Sequence, residues 1–430
     1  MRLLISKFST LAGSKTARDT YWVFGSNFFT SFLAFLYTLF LARVLSPEGW
    51  GIFSAVIGYM LLVSDVGDLG IGSSLSSFLP PLFNEHKIGT ANSFTKTAFY
   101  FQAVILLLLS IPTILFARPL AELILKQGNL SNLMVLAALG IISSMLLTFI
   151  TSLLTAEKKF SRLAVVMAIS TVVKLLLVII FFSLHRLDLK LAVTIFAAAP
   201  LISLAYYLIN HPPHFLSATF SINNLKKLLS FSIFLGLARI FSAVSGRLDA
   251  LMIIPLSSSF TAGIYQGAFK IASVYILLAG SFSQVIAPRL ASIGRTDVQS
   301  YLKKIIGVVV GLWVSMVLAY FIAPILVVFI LGEEYRLSIQ VFQQLLLPMA
   351  LFVGTIPSVN YLIYTLKKPF VSTFNTLVQL IIVFLGNLYF IPKYGSLGPV
   401  RTLTVAYALT FLIATYFAIY YHRKAVSTAS

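Results

Sequence analysis

The sequence predicts an all-α polytopic membrane protein of about twelve transmembrane helices in two pseudo-symmetric six-helix lobes, and three observations lead there. Hydrophobic residues make up 59% of the 430-residue chain and charged residues only 10%, where a soluble domain carries about 25% charge. The apolar runs are continuous and reach the roughly 20 residues that a helix needs to cross a bilayer, rather than alternating as in a membrane barrel. Lys and Arg collect between those runs, where they set orientation. A net charge of +19 would suggest nucleic acid in a soluble chain. Here the cations flank lipid-crossing segments, and no nucleic-acid partner is expected.

Taken in order, residues 1–19 form a basic leader or a short interfacial helix. Leu3, Leu4 and Ile5 are interrupted by Lys7, too soon for the core of a cleavable signal. Twelve spans follow, at 20–42, 49–80, 91–117, 130–155, 161–184, 190–210, 228–256, 261–289, 301–330, 338–366, 369–391 and 398–421. Several exceed the minimum, and Pro80, Pro112, Pro200, Pro255, Pro288, Pro324, Pro348 and Pro357 lie within them or at their ends, so tilts and kinks are expected. Placing the N-terminus in the cytoplasm puts 18 of the 31 Lys and Arg inside, among them Lys158, Lys159, Lys367 and Lys368, and seven outside. That bias predicts both termini cytoplasmic and an even number of spans.

The longest connection, 211–227, lies near the middle of the chain and predicts a cytoplasmic linker between an N-lobe at 20–210 and a C-lobe at 228–430. An internal echo points the same way. Gly51-Ile52-Phe53 opens the second span and Gly263-Ile264-Tyr265 opens the eighth, with the same expected orientation. No loop is long enough for a soluble domain, and no phosphate-binding G-x-x-x-x-G-K-[ST] loop is present, so ATP hydrolysis within this chain is not expected. The chain contains no cysteine. Its five histidines show no metal-ligand spacing and no Ser-His-Asp set, so no metal, cofactor or catalytic residue is expected.

Charges inside the spans carry the functional reading, because each costs about 2.5–3.5 kcal/mol at the bilayer centre. The cations are Lys96, Lys174, Arg239, Arg247, Lys270 and Arg401, and the anions Asp65, Asp68 and Asp249. Six cations cannot all be matched by three anions. Lys174, Arg239, Arg247 and Lys270 are therefore candidates to line a wet cavity between the halves and bind an anionic headgroup such as a pyrophosphate. The competing reading pairs Asp249 with Arg247 or Arg239. Lys96 and Arg401 sit near span ends and snorkel. Asp65 and Asp68, three residues apart among Ser and Gly, are either carboxylates that couple transport to H⁺ or Na⁺ or packing groups between helices.

Several segments then resemble one family. Leu41-Ala42-Arg43-Val44-Leu45-Ser46-Pro47-Glu48-Gly49-Trp50-Gly51 resembles the L-A-R-x-L-G-P-E-x-[YF]-G segment after the first helix of Wzx-type, O-antigen polysaccharide-unit flippases. These belong to the multidrug/oligosaccharidyl-lipid/polysaccharide exporter (MOP) superfamily, which includes the MATE transporters. Asp68-Leu69-Gly70-Ile71, Arg247-Leu248-Asp249, Ala262-Gly263-Ile264-Tyr265, Ala287-Pro288-Arg289-Leu290, Leu331-Gly332-Glu333-Glu334-Tyr335 and Ile391-Pro392-Lys393-Tyr394-Gly395-Ser396-Leu397-Gly398 are similar to further family segments, in the family's order. Ser46 and Gly49-Trp50 depart from the pattern. Twelve spans rather than fourteen argue against the lipid II branch.

The resemblance implies two six-helix lobes, a cationic central cavity and alternating access. It also implies an undecaprenyl-pyrophosphate-linked oligosaccharide as cargo, carried across a bacterial plasma membrane for surface polysaccharide or lipopolysaccharide synthesis. Membrane lipids, a polysaccharide polymerase and chain-length proteins are the partners it suggests. Competing functions are a multidrug or small-molecule antiporter, a membrane enzyme, and a scaffold of a polysaccharide assembly complex. Excess intramembrane cations oppose a cationic drug as cargo, and short outer loops oppose an enzyme.

Overall fold

The computed structural model describes residues 15–292 and 298–427, and the regular structure among them is entirely helical. The expected leader, 1–19, falls largely outside the described residues. The helices are α1 (Lys15–Val44), α2 (Pro47–Gly67), α3 (Ile71–Asn84), α4 (Ile88–Leu115), α5 (Ala117–Leu125), α6 (Ser131–Ala156), α7 (Phe160–Ser183), α8 (Leu189–Asn210), α9 (Ile222–Leu256), α10 (Ser259–Ser292), α11 (Val298–Leu331), α12 (Ser338–Asn360), α13 (Phe370–Tyr394) and α14 (Gly398–Ser427). Each of the twelve expected spans falls on helix. By length and apolarity, nine stretches of the described residues qualify to cross a membrane. The last, Phe370–Lys424, takes in both α13 and α14, and Phe28–Val44 is a shorter apolar helix.

The second span needs correction. Read as one run over 49–80, it is two helices, because α2 stops at Gly67 and α3 starts at Ile71. Leu69 and Gly70 between them hold φ of 42° and 79°, a region that a β-carbon disfavours and glycine tolerates. The backbone amide of Gly72 donates to Asp68 Oδ1 at 3.3 Å, so the Asp68 carboxylate serves an otherwise orphaned amide at the start of α3. Proline does not cause the break: Pro80 and Pro81 both lie inside α3. A second irregularity is a π-turn at Tyr361–Thr365, directly after α12.

The chain forms two compact units, neither continuous in sequence. One comprises Met1–Leu41, Tyr59–Glu122 and Gln127–Ile240; the other comprises Ala42–Gly58, Leu123–Lys126 and Phe241–Ser430. The segment expected as a linker, 211–227, lies within the first unit. There, α6 is the central helix and packs against α3, α4 and α8, while α7 packs on α8. Ala137, Ala138, Gly140, Ile141 and Ser143 of α6 are all buried, and Ser143 Oγ donates across to the Ala197 carbonyl at 2.6 Å. In the second unit α12 is central and packs against α10, α11 and α14, while α13 packs on α14. Span four and span ten thus play the same part, and their neighbours correspond.

The helix ends repeat as well. Lys158 after α6 and Lys367 after the π-turn hold φ of 57° and 56°. The next amides, of Lys159 and Lys368, return to the carbonyls of Leu154 at 2.9 Å and Leu362 at 2.8 Å. Both are left-handed C-terminal caps, and the return in the second is one residue longer because of the π-turn.

Glycines permit the closest helix crossings. In the second unit a β-carbon on Gly263 would lie 1.6 Å from the Pro47 carbonyl oxygen, and one on Gly51 would lie 2.1 Å from that of Ser259. In the first unit a β-carbon on Gly236 would lie 2.7 Å from the Leu69 carbonyl oxygen. Gly263→Val should therefore cost about 3 kcal/mol or more, because backbone cannot yield as a side chain can. We expect it to lose its monodisperse peak on size exclusion in detergent, while Gly280→Ala, which meets nothing within 4 Å, elutes as the parent does.

Candidate functional site

In the second unit the polar groups gather around Asp249. It lies on α9, two residues from Arg247, so the two side chains leave the helix in widely different directions. Its Oδ2 accepts the Tyr265 hydroxyl of α10 at 2.7 Å, and its Oδ1 accepts the Asn387 side-chain amide of α13 at 2.8 Å. Tyr265 and Asn387 are completely buried. The second atom of the Asn387 amide, Oδ1, is buried with no hydrogen-bond partner among the described residues. Three helices thus converge here: a phenol hydroxyl and an amide nitrogen both donate to one carboxylate. Asn387 is a polar residue within its span. Its partnership with Asp249 was not legible, because 138 residues separate the two.

Arg247 on α9 and Lys270 on α10 belong to the same unit, on two helices that the Tyr265–Asp249 hydrogen bond joins. Of the other expected cations, Lys174 belongs to the first unit, where its Nζ lies 4.0 Å from the centre of the Phe196 ring. Such a cation–π contact stabilises an ammonium that lipid cannot hydrate. Arg239 is on α9, but its side chain lies outside the described residues. Lys96 Nζ donates to the Ala218 carbonyl at 2.7 Å, and the Arg401 guanidinium stacks 3.4 Å above the Tyr394 ring. Asp68 is buried and caps α3, whereas Asp65 is exposed. These two carboxylates do not share one environment.

The first unit holds an open cleft of about 570 Å³ that only half shows in the sequence. Ser73, Ser76 and Ser77 of α3 meet Thr151, Ser152 and Thr155 of α6 across it. The serine run of span two is visibly polar within an apolar stretch. Its threonine and serine partners look like ordinary helix-packing residues until the fold places them opposite.

Much of the family-like segment 41–51 is structural. Arg43 Nη1 donates to the Phe329 carbonyl at 2.7 Å, and Glu48 Oε1 accepts the Ser259 hydroxyl at 2.9 Å. Tyr335 donates to the Leu45 carbonyl at 3.1 Å. Burial, then the Glu334 charge, push that phenol above its ordinary pKa, so it remains a donor. A family profile described as "Polysaccharide biosynthesis protein" matches residues 16–294. The chain belongs to that family. Among curated proteins no sequence matches significantly.

Solved structures share the fold at low sequence identity. The lipid II flippase MurJ, in an inward closed conformation, superposes with a TM-score of 0.76 at 15% identity, over 93% of this chain and 88% of that one. An inward-facing multidrug resistance MATE transporter of the MOP superfamily gives a TM-score of 0.71 at 13% identity, over 92% of this chain and 96% of that one. A MOP superfamily transporter from Pyrococcus furiosus Vc1 (DSM3638), whose binding pocket of reverse polarity suggests a different function, gives 0.61 at 14% identity, covering 94% of each chain. The protein is therefore a multi-pass helical member of the polysaccharide biosynthesis family, with the fold that these transporters share.

Tyr265→Phe removes one of the two donors that hold the Asp249 carboxyl. Lower stability by about 1–3 kcal/mol is expected, as for any buried charged acceptor that loses a partner, measured by unfolding in graded SDS. Tyr416→Phe, 63% exposed on α14, should stay within about 0.5 kcal/mol of the parent.

Proposed function

We propose that this protein is a flippase that carries an undecaprenyl-pyrophosphate-linked oligosaccharide across a bacterial plasma membrane by alternating access, with both termini in the cytoplasm. One observation carries the reading: the hydrogen bond of Tyr265 to Asp249 joins α9 to α10, so Arg247 and Lys270 place two cations in one region of adjacent membrane-spanning helices. Two like charges in low dielectric raise each other's energy. An anion of two or more charges placed against both reverses that cost, and a diphosphate suits both the planar fork of Arg and the point charge of Lys. The same repulsion disfavours the rival reading as an exporter of cationic drugs.

H⁺ or Na⁺ coupling belongs, in this reading, to Asp249 rather than to Asp65 or Asp68. Asp249 offers a carboxylate with Tyr265 and the unpartnered Asn387 oxygen beside it, whereas Asp68 is engaged with the backbone of α3. A place beside a polysaccharide polymerase and chain-length proteins follows from the proposed pathway.

The test uses the purified protein in vesicles with a fluorescent lipid-linked pyrophosphoryl glycan and a quencher on one side. Arg247→Ala with Lys270→Ala should slow translocation at least about tenfold, the equivalent of about 1.4 kcal/mol in the barrier, with the protein inserted in normal amounts. Parent-like rates in the double variant would remove the diphosphate assignment. Asp249→Asn should abolish the response to an imposed ion gradient, and an undiminished response would move coupling elsewhere.

A further inference from the structure

A second lipid-facing feature lies in the second unit, at the end that carries the C-terminus. A cavity of about 280 Å³ opens between the start of α11, the end of α12 and the end of α14. Leu302 and Ile306, Pro357, and Ala418 and Ile419 form its apolar walls. The π-turn begins at its edge, where the Tyr361 hydroxyl and His422 Nδ1 are hydrogen-bonded at 2.7 Å. A π-turn widens a helix locally, and such turns recur at functional positions. His422 and Arg423 stand at the mouth.

Two independent features fix what this groove faces. Tyr416, Phe417, Tyr420 and Tyr421 form a chain of aromatic contacts along α14. Tyrosines gather where headgroups meet acyl chains, so the groove mouth lies at headgroup depth. Among the described residues of these helices the charge is of one sign. Lys303, Lys304, Lys367 and Lys368 join Arg423 at the same helix ends, and α11, α12, α13 and α14 contain no Asp or Glu at all. An apolar slot beneath an all-cationic rim is complementary to an acyl chain beneath an anionic headgroup.

We propose that this groove is a specific site for an anionic phospholipid of the bilayer leaflet on the C-terminal side, distinct from the cargo site around Arg247 and Lys270. The acyl chain fills the slot against Ala418 and Ile306, and the phosphate sits by Arg423 and His422. The site is independent of the flippase reading, since it needs only the fold and the bilayer.

Native mass spectrometry of the full chain, released from micelles doped with dioleoyl phosphatidylglycerol or dioleoyl phosphatidylcholine, tests it. One retained phosphatidylglycerol is expected, with at least about fivefold weaker retention of phosphatidylcholine, in line with one or two cations near a headgroup. Arg423→Gln should lower phosphatidylglycerol retention by a similar factor. Ala418→Leu should lower retention of its acyl chain whatever the headgroup, and Ser358→Leu fills the same slot if Ala418→Leu fails to fold. Arg336→Gln, at the opposite helix ends, should change nothing. Equal retention of both lipids, or parent-like retention in Arg423→Gln, overturns the site. So does displacement of phosphatidylglycerol by equimolar undecaprenyl phosphate, which would give the groove to the cargo instead.

Discussion

Lipid cannot hydrate a polar group, and that constraint organises both units. Every hydroxyl, amide and charge inside a span must find its partner within the protein or present itself to something that enters. Most of them comply in ways that hold helices together. Ser143 reaches the Ala197 carbonyl, Ser338 reaches that of Ile264, and Asn375 reaches that of Thr410. Each bond joins two spans, and in each unit one end lies on a central helix or on a helix packed directly against its neighbour. Against that background an exposed row of hydroxyls, such as the one that lines the cleft between α3 and α6, stands out.

The spans themselves were legible because hydropathy reports directly on the solvent, and bilayer thickness fixes how long an apolar run must be. The interior of the second span was not. Asp68-Leu69-Gly70 reads as a polar stretch of one helix, and only the left-handed backbone at Leu69 and Gly70 shows it to be a junction. The Gly51 and Gly263 echo proved informative for a reason beyond repetition. Both glycines lie in one unit, where each admits the backbone of the other's segment. Sequence alone detects such a pair as similar words, since nothing in a linear pattern says that the two words touch.

The same limit applies to the candidate site. Charged residues announce themselves against an apolar background, so Arg247, Lys270, Lys174 and Asp249 were all marked. What surrounds them is not announced. One of two readings pairs Asp249 with an arginine, and the hydrogen-bond partners described for it are a phenol and an amide from two other helices. A Tyr opening a span and an Asn near the end of another are unremarkable until the fold converges them.

That partnership changes the electrostatics of the whole site. A carboxylate in contact with a guanidinium would cancel it, leaving little net field for an anionic guest. Two donors that carry no charge of their own hold the Asp249 carboxylate. In the proposed cycle Arg247 and Lys270 meet the cargo while Asp249 takes up a small cation. Because all three residues lie within two turns or so on α9 and α10, a cation at Asp249 and a diphosphate at Arg247 would feel each other strongly. Filling either site alters the energy of filling the other, which is the minimum requirement for coupling the movement of one to the movement of the other.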